Sequence, residues 1–147
     1  MVSAEPIAKS TGKPVLTMSG RIASTNVGQK LTLDAAQIAA IPTSTLSVYE
    51  PFEKRQITFT GVPLADLFAK AGVDPGATTV VMQALDDYQS SFPVAEVAAE
   101  GFLATAEAGK PIPIKAGGPI RVVFRASSTL GKLEHSWIWS VNRMTFS

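Results

Sequence analysis

The sequence predicts an α+β domain, a mixed β-sheet or barrel-like body with about three short helices on its outside. Two observations point there. Alternation of apolar and polar residues with a period of two recurs along most of the chain, as strands packed on at least one side require. The helical period of 3.6 is confined to short stretches bounded by proline and glycine. With 147 residues and no internal repeat, the chain reads as a flexible N-terminal segment, 1–14, followed by a single domain, 15–147. A domain of that size buries roughly 70% of the surface its unfolded form exposes and needs no disulfide to fold.

Residues 15–22 (VLTMSGRI) alternate and form a first strand, placed at a sheet edge because Gly20 weakens it. Residues 31–33 are a second short extended piece. Asp34 with Gln37 three residues later has the reciprocal capping pattern, and Ile38 and Ile41 make an apolar stripe that Pro42 stops. Residues 43–52 and 55–61 read as two strands around Pro51. GVPLADLFAKAG is the clearest helix: Pro63 suits its first turn, Leu64, Leu67, Phe68 and Ala71 make one face, and Gly72 closes it. A strand over 78–85 runs into Asp86, Asp87 and Tyr88, and an extended SSF follows. Val94, Val97 and Ala98 then suggest a third helix ending at Gly101. FLATAEAGKPIPI is a strand, a turn near Gly109 and an extended segment. The stretch 117–141 reads as two strands around a polar loop: Ile120, Val122 and Phe124 share one face of the first, and Trp137, Trp139 and Val141 share one face of the second. Residues 143–146 form a last short strand.

Composition removes several classes of function. A formal charge of +1 without basic runs does not supply the positive field that nucleic-acid binding rests on. Zero cysteines and a single histidine exclude thiolate metal sites, cysteine nucleophiles and multi-histidine zinc sites. No apolar run approaches the roughly 20 residues of a membrane span. The polar, proline-bearing opening MVSAEPIAKSTGKP is expected of a mature secreted or periplasmic protein whose signal has been removed.

The chemistry-bearing residues have ordinary readings as well. Asp86 and Asp87 resemble a carboxylate dyad, but neighbours in a strand point to opposite faces, so a solvated turn with one side chain capping an amide is preferred. Tyr88 either fills core or presents its ring to a ligand. His135 lacks the partners of a catalytic triad. Trp137 and Trp139 share a face and pack the core if that face is inward; if Trp137 lies at the strand's entry beside the polar loop, it offers a flat platform. Gly117 and Gly118, followed by proline and a strand, mark a turn or a close backbone approach and not a dinucleotide fingerprint.

Four motifs in order carry a resemblance to a known family. TSTLSVYEPFEKRQITFTGVPLADLFAKAG, VVMQALDDYQSSFP, FLATAEAGKPIPIKAGGPIRVVF and HSWIWSVNRMTF resemble, from about Ile41 onward, the molybdopterin-binding domain of the sulfite oxidase fold family, especially its short standalone secreted bacterial members. The resemblance implies that fold and a pterin pocket built from residues 43–52, from Asp87 with Tyr88, and from residues 125–137. One departure bears on function. Where catalytic members carry a molybdenum-ligating cysteine, this chain has Thr43, Ser44, Thr45 and Ser47, and a hydroxyl is a poor substitute for a soft thiolate. The expectation is therefore a non-catalytic protein that binds a pterin, reduced or oxidised, without molybdenum and signals to a partner such as a membrane receptor. Trp137 or Tyr88 would stack on the ring, and Asp87 would accept from its amino edge. Thr43, Thr45, His135 and Ser136 would supply polar contacts, with Arg125 and Lys132 available for a phosphate. The alternatives are a molybdopterin-dependent oxidoreductase domain or subunit, and an interaction domain that has lost its ligand.

Overall fold

The computed structural model describes residues 7–147 except residue 126, and of residue 135 the backbone alone. Its strands form two five-stranded sheets. The first runs in the order β2 (Leu31–Asp34), β1 (Pro14–Gly20), β10 (Val141–Phe146), β5 (Thr79–Ala84) and β6 (Gln89–Pro93). Only β1 and β10 pair in parallel there, while the other neighbours are antiparallel. The second sheet places β4 (Arg55–Pro63) between β3 (Ser44–Glu50) and β7 (Gly101–Glu107). The far side of β7 is shared by β8 (Lys110–Pro111) and β9 (Arg121–Phe124). Neither sheet closes on itself, so the body is a pair of open sheets instead of the barrel-like alternative. No described helix is long and apolar enough to cross a membrane.

Three short helices, α1 (Ala35–Ala39), α2 (Leu64–Ala71) and α3 (Val94–Glu100), lie between strands as the pattern predicts. The α2 stripe of Leu64, Leu67, Phe68 and Ala71 is buried, and Gly72 ends the helix in the left-handed conformation at φ 65°. Burying each of its large side chains contributes about 1.5–3 kcal/mol. In α1 the capping box is complete: the Gln37 amide donates to Asp34 Oδ1 at 2.8 Å, and the Asp34 amide donates to Gln37 Oε1 at 2.9 Å.

Asp34 also accepts from the Gly12 amide at 3.0 Å, which ties residues 10–13 to the body together with the Ser10 hydroxyl on Thr32 O. The Gln37 and Gly12 amides hold its carboxyl below the usual carboxylate range. A carboxylate with a lowered folded pKa stabilises above its unfolded value, near pH 4, and loses that contribution as pH falls through the folded value. The melting-temperature gap between wild type and Asp34→Asn should therefore be constant above about pH 5 and close on acidification below about pH 4, read by thermal denaturation across pH.

Two elements differ from the pattern. β1 lies inside its sheet, between β2 and β10, and β2 takes the edge. Gly20, at φ 89°, does not mark a weak edge; a side chain there would strike the Phe146 carbonyl of the neighbouring strand. The tryptophan stretch is not a strand either. Residues 134–136 form a 3₁₀ turn, residues 137–140 are irregular with Ser140 at φ 53°, and regular pairing starts only at Val141.

Candidate functional site

A buried arginine organises one end of the molecule. β9 is covered on both faces, so Arg121 is 0% exposed even though it alternates with apolar neighbours. Its Nη2 lies 3.1 Å from Oε1 of Glu50, itself 0% exposed, and its Nη1 lies 3.7 Å from Glu53. Nη1 also donates to Ala116 O at 3.2 Å. The guanidinium lies over two aromatic rings, 4.7 Å from the Trp139 ring and 5.1 Å from the Phe59 ring. Such stacking suits the planar, weakly hydrated guanidinium and not an ammonium. Burial pushes the Arg121 pKa down, and the carboxylates of Glu50, Glu53 and Glu107 oppose that push.

Glu50 passes this order to the surface. Its Oε1 accepts from the Phe52 amide at 3.1 Å and its Oε2 from the Glu53 amide at 2.6 Å, which fixes the 51–54 turn. Phe52 then meets Trp139 edge to face at 6.1 Å. Gly117 also packs on that indole: at φ 93° it brings its backbone so close that a Cβ would sit 2.8 Å from Trp139 Cγ. Ser140 clamps the same region, its amide donating to Gly117 O at 2.7 Å and its hydroxyl to Gly118 O at 2.6 Å.

Above these residues lies a cavity of about 360 Å³ lined by Phe52, Ala84, Asp86, Tyr88, Glu134, Trp137 and Trp139. Its walls are aromatic, and the charged residues among its described lining are two carboxylates with no lysine or arginine. Asp86 Oδ1 accepts from the Tyr88 amide at 3.1 Å, which is the capped turn the sequence suggests. A larger hollow of about 540 Å³ between the N-terminal segment, α1 and α2 has no aromatic ring in its lining and so lacks a stacking surface.

Of the residues singled out in the sequence, Tyr88 and Trp137 line the cavity. Trp137 serves as a rim and not as a platform: it is 4% exposed, its Nε1 donates to Gly131 O at 3.0 Å, and its ring packs on Phe124. Asp87 is outside the lining, because its φ of 71° turns it toward Gln83, whose Nε2 donates to it at 3.1 Å. Asp86 takes the position expected of it. Thr43 precedes β3 and Thr45 lies near its start, roughly 17 Å of strand from Glu50 at the cavity end, so neither hydroxyl lines the cavity. Arg125 is exposed with its guanidinium 5.1 Å from the Phe102 ring, and Lys132 is exposed in a 3₁₀ turn; neither belongs to the lining. Ser136 is fully buried beside Trp137, and its Oγ has no hydrogen-bond partner among the described residues. The side chain of His135 lies outside the described residues.

Trp139, which the sequence treats only together with Trp137, completes the site with Phe52, Glu134 and the Arg121–Glu50 pair, none of which the sequence reading assigned a role in it. An arginine inside the otherwise apolar strand PIRVVF was the available signal for the pair, since a cation in a strand covered on both faces needs a buried carboxylate.

This architecture is that of the sulfite oxidase molybdopterin-binding fold. The structure matches that of the sulfane dehydrogenase SoxCD from Paracoccus pantotrophus with a TM-score of 0.68 at 20% identity, over 89% of this chain and 37% of that one. The chain thus spans little more than a third of that protein's length. The family described as "Oxidoreductase molybdopterin binding domain" matches residues 51–144, and the chain belongs to it. A search of curated protein sequences finds no match.

The residues present do not fit that family's cofactor in full. A phosphate entering the cavity would face Asp86 and Glu134, with no cation among the described lining residues. The chain has no cysteine, and the described residues contain no group of three or more His, Cys, Asp or Glu able to hold a metal ion. The aromatic walls and carboxylates do fit the flat ring system with its N–H edge.

Proposed function

We propose that this chain is a non-catalytic pterin-binding protein of the periplasm or cell exterior that reports ligand occupancy to a protein partner. The observation that supports it is the cavity between Phe52, Tyr88 and Trp139, aromatic on its walls and acidic at Asp86 and Glu134. A pterin's amino and ring N–H groups are donors on one edge, as guanine's are, and carboxylates only accept when ionised. Its flat ring stacks on aromatic side chains, each contact being worth about 1–3 kcal/mol. One such platform with two or three charge-assisted hydrogen bonds, each contributing about 1.5–3 kcal/mol, gives roughly micromolar binding, about 8 kcal/mol.

A second reading, a molybdopterin-dependent oxidoreductase domain or subunit, is favoured by the family match itself. Calorimetric titration with tetrahydrobiopterin tests the first. The expected result is one site of roughly micromolar affinity, weakened about tenfold or more in Tyr88→Ala. Absence of heat, or an unchanged affinity in the variant, would count against the cavity as the binding site.

A further inference from the structure

A second hollow lies against the back of the segments that wall the cavity. β1 and β10 run in register from the Thr17 and Arg143 pair onward. Before that pair their ladder ends, and both strands shift register against their outer neighbours there, β1 against β2 between Pro14 and Leu16 and β10 against β5 between Val141 and Arg143. A groove of about 530 Å³ lies there, closed along one side by residues 112–114 and Pro119. Leu16, Ile112 and Val141 are buried at its base. On its rim stand two large apolar side chains left in water, Leu85 at 53% exposure and Ile114 at 64%. Their contact with solvent is unfavourable, and a partner that covered them would gain the hydrophobic contribution of that area.

The charge of the groove narrows what that partner is. Lys13 and Arg143 line it, and no aspartate or glutamate among the described residues does, the reverse of the ligand cavity. Its lining has no aromatic ring on which a heterocycle could stack. Pro14, Pro113 and Pro119 on the rim have no amide hydrogen, so an added strand would find an interrupted ladder. The occupant would be held mainly by its side chains. We propose that this groove docks an acidic segment of a protein partner, with apolar side chains set between Leu85 and Ile114 and carboxylates against Lys13 and Arg143.

The location gives the groove a route to the cavity. Residues 84–88 and 137–143 contribute to both: Ala84, Asp86, Tyr88 and Trp139 face the cavity, while Leu85, Val141 and Arg143 face the groove. The Leu85 amide donates to Ser140 O at 3.0 Å and joins the two segments. Docking itself does not require that the cavity hold a pterin.

The test is selection from a random phage-displayed peptide library on the wild-type protein with no pterin present. A synthetic copy of the enriched sequence is then titrated by fluorescence anisotropy against wild type, Ile114→Asp and Arg143→Glu. Both altered side chains are exposed, and circular dichroism checks that the variants keep the fold. The expected result is enrichment of net-negative sequences with spaced apolar residues, whose binding falls roughly tenfold or more in each variant. Enrichment of basic sequences, binding that survives both substitutions, or no enrichment at all would overturn the proposal. So would light scattering that shows wild-type dimers and Ile114→Asp monomers, which would make the face a contact between copies. Because no pterin is added, this outcome and that of the tetrahydrobiopterin titration are independent.

Discussion

Arg121→Met should lower the stability of the domain by about 3–5 kcal/mol, the usual cost of leaving one partner of a buried ion pair without the other. The partner left behind is Glu50, fully buried, with its two oxygens already committed to the Phe52 and Glu53 amides. The stranded charge can be relieved only by taking up a proton or by opening the 51–54 turn. The paired variant Arg121→Met with Glu50→Gln removes both charges and keeps an oxygen for one of those amides. It should regain most of the loss, since replacing a whole buried pair is often close to neutral. Arg121→Lys should recover little, because an ammonium cannot reproduce a flat guanidinium held 4.7 Å from one aromatic ring and 5.1 Å from another. Urea denaturation of the three variants reads these differences as shifts in midpoint. Equal stability of Arg121→Met and wild type would show that the buried cation does not organise this end of the molecule.

Removing the cavity's carboxylates should have the largest effect on binding. Asp86→Asn and Glu134→Gln keep size and shape but replace a charge-assisted acceptor by a neutral one, and hydrogen bonds to a charged group contribute about 1.5–3 kcal/mol. Each substitution should weaken a pterin by about tenfold, and the pair by about a hundredfold. Both residues are exposed, so thermal stability should stay nearly unchanged. The informative comparison is with a phosphate-bearing pterin, for which the same double variant should lose much less than about a hundredfold, because removing the two like charges offsets part of the lost hydrogen bonding. A drop in affinity for both ligands alike would point to lost packing instead of lost charge.

The parts of this fold legible in the sequence are those decided within a few residues. The α1 capping box needs only Asp34 and Gln37, and α2 needs only its apolar stripe and Gly72. What escaped depends on distant partners. Gly20 looks like a weakness in β1 until Phe146 is laid against it. The alternation of Trp137, Trp139 and Val141 has the period of a strand. Gly117 and Gly118, however, accept both hydrogen bonds from Ser140 and hold that stretch in an irregular path. The carboxylates around Arg121 come from β3, the following turn and β7, a set that no local pattern assembles.

The site was legible to a similar degree. Tyr88 and Trp137 follow from position beside polar loops, and both line the cavity. The choice between Asp86 and Asp87 rests on the positive φ of Asp87, which adjacency in the sequence does not reveal. Thr43 and Thr45 followed from their correspondence to the catalytic cysteine's loop. β3 holds them at the end away from the cavity, while its other end delivers Glu50 and the turn that presents Phe52.

The most direct measurement takes protein expressed in a host that makes the molybdenum cofactor, purifies it gently, and analyses it by elemental and mass spectrometry. The expected result is a phosphate-free pterin bound to the chain, with molybdenum far below one atom per chain. Stoichiometric molybdenum together with molybdopterin would contradict it and establish the oxidoreductase reading in its place.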